Sequence, residues 1–192
     1  MPVTYDPAER EIDEQTVCAA RRGDAEAFVR MLKHYDSRLR ALAFRILRDP
    51  VLMDDALQDA SIKAYQSLRG FRGDSEVGTW LYRITYTTCL DYLRRERRFQ
   101  VLTGEDALAD AACDDDPCDI VTRWADLEDA LDHLPVEQRV LIVLVHQYGY
   151  DYRTAAEVVG VPEGTVSSRL AAARVRLRRL LAEPAYAQEK TS

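Results

Sequence analysis

The stretch DDALQD places three carboxylates, Asp54, Asp55 and Asp59, within six residues. Side chains of this type and spacing can chelate magnesium beneath a diphosphate. They can also present an acidic helix face to a basic partner, and a merely solvated helix start is the third reading. Arginine carries the opposite chemistry elsewhere. RRERR (Arg94 to Arg98) holds four arginines and one glutamate, and Thr165 to Leu181 holds five arginines and no acid. Such clusters dock polyanions whatever the total charge, because local patches decide. The chain's net charge is −7, but the segment from Val101 to Asp129 alone carries ten acids against Arg123. Without that segment, at −9, the remainder sums to +2.

Other candidate chemistry is thinner. Four cysteines, Cys18, Cys89, Cys113 and Cys118, are scattered and read as free thiols of a reducing compartment. Cys113 and Cys118 have no second cysteine or histidine pair nearby to complete a zinc site. His146 lacks neighbouring ligands and reads as a packed or peripheral histidine. No metal, cofactor or catalytic set is expected. The N-terminus has no apolar core of a secretory signal. No apolar run approaches the ~18–20 residues that span a bilayer, so a cytoplasmic location is expected.

The elements that must position these groups read as helices. AEAFVRMLKHYDSRLRALAFRIL carries Phe28, Leu32, Tyr35, Leu39, Leu42 and Ile46 at helical spacing. The RDP triplet (Arg48 to Pro50) ends it. A second helix is expected to start near Asp54, its acids suited to the exposed amides of a helix N-terminus. Its apolar face is read as Leu57, Ser61, Ala64, Tyr65 and Leu68, with Asp55, Gln58, Asp59 and Lys63 turned elsewhere. GFRGDSEVG reads as a loop. A third helix from about Thr79 to Arg97 would pack Trp80, Leu81, Ile84 and Thr88 inward and project Arg83, Tyr86, Thr87 and Arg94 outward. Aromatics interleaved with arginines suit single-stranded DNA, and the glycine-flexed FRGDS loop could hold an unstacked base.

Residues 100–124 are acidic and aperiodic, a flexible linker. Beyond it, Trp124, Leu127, Leu131 and Leu134 form a stripe. PVEQRVLIVLVHQY opens on Pro135, suited to the first helical position, and is apolar enough to be a central core helix. RTAAEVVGVPEGTVSSRLAAARVRLRRLL then fits a helix-turn-helix. Ala156 allows a close crossing, Gly160 suits the left-handed end of the first helix, and Val166 fills the core between the two. Val166, Leu170, Ala173, Leu177 and Leu180 would face inward. Thr165, Ser168, Arg169, Ala172 and Arg176 would lie opposite, where small polar residues followed by arginines can enter a major groove. A solvated basic face is the alternative. The fold class expected is all-α, two small helical domains joined by the linker: a tail over 1–22, a first domain over 23–99, a second over 125–182, and a tail over 183–192.

From about Gly23 to Leu181 the chain resembles the extracytoplasmic-function sigma factors of bacterial RNA polymerase. DDALQDASIKAYQSL is similar to the family's core-polymerase-binding helix. FRGDSEVGTWLYRI with LDYLRRERR is similar to its minus-ten segment, and LPVEQRVLIVL with GVPEGTVSSRLAAARVRLR to its minus-thirty-five domain. The resemblance implies that Asp54, Asp55, Leu57, Gln58, Asp59 and Lys63 meet the β and β′ subunits of core polymerase. It implies minus-ten contacts from Phe71, Arg72, Gly73, Asp74, Ser75, Trp80, Arg83, Tyr86, Thr87 and Arg94. It implies minus-thirty-five contacts from Thr165, Ser167, Ser168, Arg169, Ala172, Arg174 and Arg176. The chain departs from the common family pattern at Thr87, which weakens the carry-over of base reading there, and at Ser167, Ala171 and Ala172, whose small side chains imply an unusual minus-thirty-five preference or fewer contacts. An anti-sigma factor is implied as a further partner, one that could tether the protein at a membrane. The metal-enzyme reading of DDALQD lacks a second aspartate-rich helix, since the other acidic run, Asp114 to Asp116, lies in the linker. A stand-alone helix-turn-helix regulator remains the other reading; it would need a dimer interface or a ligand pocket.

Overall fold

The computed structural model describes residues 12–103 and 127–182. Trp124, Cys113, Cys118 and most of the acidic join lie outside them. Among the described residues all regular structure is helical.

Each helix begins and ends for a local reason. Helix α1 (Glu14–Arg21) is capped by Asp13, whose Oδ1 accepts the Thr16 amide at 2.7 Å. Helix α2 (Ala25–Leu47) is capped by Asp24 and buries Phe28, Tyr35, Leu39, Leu42 and Ile46 of the predicted stripe, with Met31 buried where Leu32 is expected and Leu32 half-buried. It stops at Arg48, which adopts the left-handed conformation (φ 56°) and returns its amide to the Phe44 carbonyl. This backbone form closes a helix but strains a residue with a Cβ.

Helix α3 (Pro50–Ser67) starts four residues before the expected Asp54. Pro50 takes the first turn, where no amide partner is needed. Asp49 accepts the amides of Val51 (2.7 Å) and Leu52 (3.0 Å). The exposed amides are therefore satisfied by Asp49, and the DDALQD acids sit beyond the cap. The buried face also differs: it is Ala56, Ala60 and Ala64, three small side chains that let α3 lie close on its neighbours. Tyr65, expected inward, is 46% exposed. A short 3-10 turn (Leu68–Gly70) leads to the loop and to α4 (Val77–Thr103), which outlasts its expected end at Arg97 and takes in the first residues assigned to the linker. Near its start, Gly78 lies under Tyr35, where a Cβ would stand 2.9 Å from the ring.

The second half opens with α5, over 127–132. Pro135 then precedes α6 (Val136–Ile142) as its cap residue, one position earlier than expected. The helix continues as a π-helical turn (Val143–Gln147) in which the Tyr148 amide reaches the Val143 carbonyl at 2.9 Å. Helices α7 (Tyr152–Val159) and α8 (Glu163–Ala182) form the expected helix-turn-helix. Gly160 is left-handed (φ 71°) and closes α7 onto the Ala156 carbonyl, and Val166 and Leu170 are fully buried.

The two halves are not separate cores. Phe28, Met31, Leu42, Leu81 and Tyr82 belong to the same buried cluster as Val140, Leu144, Tyr148, Val158 and Val166. Helix α6 is apolar on most faces. It is covered by α8 on one side and by α2 on another, while α7 packs on α4. Burying each such side chain contributes about 1.5–3 kcal/mol.

Candidate nucleic-acid and partner-binding interfaces

The first candidate surface is the outward side of α3. Its three aspartates do not converge on a point. Asp54 accepts from Arg40 Nη1 of α2 at 2.6 Å. The Arg40 guanidinium, between Asp54 and Asp36, is held above its ordinary pKa. Asp59 turns sideways and accepts the Tyr92 hydroxyl of α4 at 3.0 Å. Lys63 also turns to α4, donating to Thr88 Oγ1 at 3.1 Å. Asp55 and Gln58 alone of the predicted polar set are exposed without such a tie, and Leu57 is half-buried. Among the described residues no group of three His, Cys, Asp or Glu side chains is placed to hold a metal.

Three residues missed by the sequence reading complete that side: Val51 (71% exposed), Ile62 (48%) and Tyr65, which rests edge-on against Phe28 at 5.0 Å. With Asp55 and Gln58 they form a stripe at positions 51, 55, 58, 62 and 65. The spacing places Tyr65 inward and gives Val51 and Ile62 no face. The ties of Asp54, Asp59 and Lys63 depend on which helices flank α3 and could not be read from spacing.

The second surface is the loop after the 3-10 turn with the start of α4. Phe71 packs on Trp80, ring centres 5.1 Å apart, and both are half-buried. Arg21 of α1 lies over the Phe71 ring at 6.0 Å, a cation–π contact that spacing could not show. Arg72, Gly73 and Asp74 are exposed and Ser75 is half-exposed; Gly73 is left-handed (φ 80°), so the loop turns outward on glycine. Further along α4, Arg83, Thr87 and Arg94 are exposed. Thr87 returns its hydroxyl to the Arg83 carbonyl at 2.9 Å, and Arg94 pairs with Asp91 at 3.2 Å.

Tyr86 does not project outward as the spacing predicts. It is buried, and burial raises its phenol above the ordinary range. The charges acting on it include Glu137 of α6 and Arg169 of α8. The reason is tertiary: the second half covers this side of α4. Tyr82, fully buried one turn earlier, lies 5.6 Å from Tyr148 and 5.7 Å from Tyr150 between ring centres. Burial raises all three phenols. The Tyr148 hydroxyl donates to the Arg38 carbonyl of α2 at 2.9 Å.

An ionic cluster flanks these rings. Arg45 pairs with Glu128 and Arg48 with Asp132. Arg139, almost wholly buried, donates to the Arg45 carbonyl at 2.9 Å, the Asp132 carbonyl at 3.0 Å and the Leu134 carbonyl at 3.2 Å. Burial, then the neighbouring Arg139 and Arg45, lowers Arg48 to about 10. Cys89 is fully buried in α4, and burial pushes its thiol up to about 12, which makes it unreactive.

The third surface is α8. Ser167, Ser168, Ala172 and Arg176 are exposed, Thr165 and Arg169 half-exposed, and the inward stripe is buried down to Ala173. Arg174, expected among the minus-thirty-five contacts, is exposed and has side-chain partners within its own half. Its Nη2 lies 3.3 Å from His146 Nε2 and donates to the Tyr152 hydroxyl at 3.4 Å. Burial and this arginine lower the His146 pKa.

Comparison with known proteins matches these parts. The family model for Sigma-70 region 2 covers residues 26–99, and that for Sigma-70 region 4 covers residues 124–177. The ECF RNA polymerase sigma factor SigM of Mycobacterium tuberculosis is 38% identical over 94% of this chain and 93% of its own. The RNA polymerase sigma-H factor of Pseudomonas aeruginosa is 32% identical over 90% and 95%. Among solved structures, the sigma factor RpoE of Bartonella quintana, in complex with the anti-sigma factor NepR, is 27% identical and superposes with a TM-score of 0.63, covering 83% of this chain and 99% of that one. The two family models together match most of the chain, and the chain belongs to the ECF RNA polymerase sigma factors, a family of transcription-initiation factors.

Proposed function

We propose that the protein binds core RNA polymerase through the outward stripe of α3, with Asp55 and Gln58 as polar contacts and Val51, Ile62 and Tyr65 as apolar ones. The observation that carries this is the stripe itself. Large apolar side chains rimmed by polar groups on an exposed face mark protein-binding surfaces, and the stripe falls in the segment matching region 2.

Promoter reading is divided. The Phe71 to Val77 loop, backed by Trp80, captures a base flipped from the minus-ten element, and Arg83, Thr87 and Arg94 follow the melted strand. Helix α8 enters the major groove of the minus-thirty-five element with Thr165, Ser167, Ser168 and Ala172 toward bases and Arg169 and Arg176 toward phosphates. No chemical step belongs to the protein. A member of the anti-sigma class is the expected regulator, as the solved relative is bound to one. Among the described residues no helix is long and apolar enough to cross a membrane; we place the protein at the cytoplasmic polymerase, with membrane attachment only through such a partner.

The test is holoenzyme assembly. Purified protein mixed with sigma-free bacterial core polymerase should co-elute on a sizing column and start transcription from a promoter selected by that complex. Failure to co-elute under any salt condition removes this reading.

A further inference from the structure

Helix α1 falls in the segment that the sequence reads as a tail, and ahead of residues 26–99, which match region 2. Its last turn nevertheless meets the loop that carries Phe71. The Arg21 guanidinium lies 6.0 Å from the centre of the Phe71 ring. Arg22 follows as the C-cap residue and is exposed. Gly23 then turns the chain in the left-handed conformation (φ 99°). From the loop side, Arg69 of the 3-10 turn brings its Nη2 to 3.1 Å from where a Gly23 Cβ would stand. A residue without a Cβ lets the chain turn there with a guanidinium resting on it. Arg72, next to Phe71, is exposed.

The fold thus brings Arg21 and Arg69 together at the end of α1, and Arg22 and Arg72 adjoin them in the chain. Among the described residues none of the four makes a salt bridge or a side-chain hydrogen bond. The carboxylate in the same turn, Asp24, is engaged by the Ala27 amide at 3.0 Å. A basic residue in the last turn complements the helix dipole. That accounts for Arg21, but not for the two arginines that the loop contributes. Cations gathered without partners form a local positive field that an anion relieves, and the planar guanidinium fork suits phosphate. Phe71, packed on Trp80, lies among these charges. An acidic protein surface would meet the same cations but has no need of a ring beside them. A single strand needs both, a ring for a base and cations for its phosphates.

We propose that the end of α1 and the 3-10 turn form a phosphate-binding patch for single-stranded DNA, in which Arg22 and Arg69 take phosphates beside the base held at Phe71. The inference rests on the minus-ten reading of that loop. It adds a helix that neither the sequence reading nor the region 2 match includes. Arg83 and Arg94 belong to α4, whereas this patch supplies cations at the loop itself from a different element. Each phosphate contact on a single strand adds about 0.7 to the slope of log affinity against log salt.

The test uses the holoenzyme assembled on the full-length chain and, in parallel, the full-length chain alone. The probe is a labelled single strand of about 12 nucleotides, of minus-ten sequence from a promoter selected by the holoenzyme, and of mixed sequence for the chain alone. Arg22→Ala with Arg69→Ala should weaken strand binding about tenfold at low salt and reduce the salt slope by about 1.4. Arg22→Lys with Arg69→Lys should keep most of the slope, because a phosphate accepts either cation. Binding to a duplex that carries only the minus-thirty-five element should not change. If the alanine pair does not fold, Arg22→Gln and Arg69→Gln, made singly at these exposed positions, should each reduce the slope by about 0.7. An unchanged slope on the strand, for the alanine pair or for the glutamine variants in its place, overturns the proposal and leaves an acidic protein surface as the occupant of the patch. An equal fall in slope on the duplex also overturns it, since the arginines then act only through total charge. So does an unmodified chain that binds no strand in either form. Co-elution with core polymerase is scored alongside. Its loss for the unmodified chain removes the sigma-factor reading, and the chain alone then decides the patch by the same slopes.

Discussion

Helices α3 and α4 lie side by side in the first half, and their outward residues were assigned by the same spacing rule. On α3 the exposed positions Asp55 and Gln58 stay exposed. On α4, Tyr86 is buried and Tyr82 is covered completely. Helix α3 packs on α2 and α4 and leaves its remaining side to solvent, whereas α4 is packed by α2 and α3 on one side and by α7 on another. A helix covered on one side keeps an open face, and on α3 Asp55 and Gln58 stay on it even though the buried face shifts to Ala56, Ala60 and Ala64. A helix covered on two sides loses it, because the second cover comes from residues far along the chain.

The contrast breaks most directly in the core of α4, where the greatest loss is expected. Tyr82→Ala should lower unfolding stability by about 3–5 kcal/mol, and Ile62→Ala on the open side of α3 should stay within about 0.5 kcal/mol. Urea unfolding of both variants checks this; equal losses would mean that α4 is not sandwiched. Next comes binding. Asp55→Lys combined with Ile62→Asp should weaken assembly with core polymerase by roughly 10–100-fold, with an unchanged urea midpoint, as read by co-elution across a concentration series. Unchanged assembly would take the binding role away from α3.

A smaller effect separates the two promoter surfaces. Arg169→Ala with Arg176→Ala should reduce the slope of log affinity against log salt by about two for holoenzyme on promoter duplex, while leaving binding to a melted minus-ten strand alone. The smallest effect is at the caps. Asp151 accepts the Thr154 amide at 2.7 Å, and that bond, with the Thr154 side chain, holds its carboxyl below the ordinary range. A lowered folded-state pKa adds stability above the usual carboxylate range and loses it as pH falls through the folded value. Asp151→Asn should therefore flatten the acid limb of a stability-against-pH curve measured below about pH 4, with no change in its alkaline limb.

Much of the fold was legible because it rests on local chemistry. The α2 stripe, the break at Arg48 to Pro50, the Ala156, Gly160 and Val166 spacing and the apolar α6 all follow from periodicity and backbone preference. Helix α3 starts before the expected Asp54 because Asp49, just ahead of Pro50, makes the cap bonds. The candidate surfaces were legible in outline and less so in membership. Tyr65 is expected inward from its spacing, and Val51 and Ile62 carry no expectation, because spacing alone does not mark an apolar side chain that stays exposed.

By itself, the sequence determined the helices, the helix-turn-helix, the acidic join and the family, since each depends on residues near one another or on the order of motifs. Only the tertiary structure decided which polar groups are free. Arg40 takes Asp54, Tyr92 takes Asp59, and His146 with Tyr152 takes Arg174. It alone also showed Arg139 bonding across the halves and Tyr86 buried between them. The physical reason is that spacing along a helix sets the direction of a side chain, whereas its partner is set by whatever distant segment is packed there.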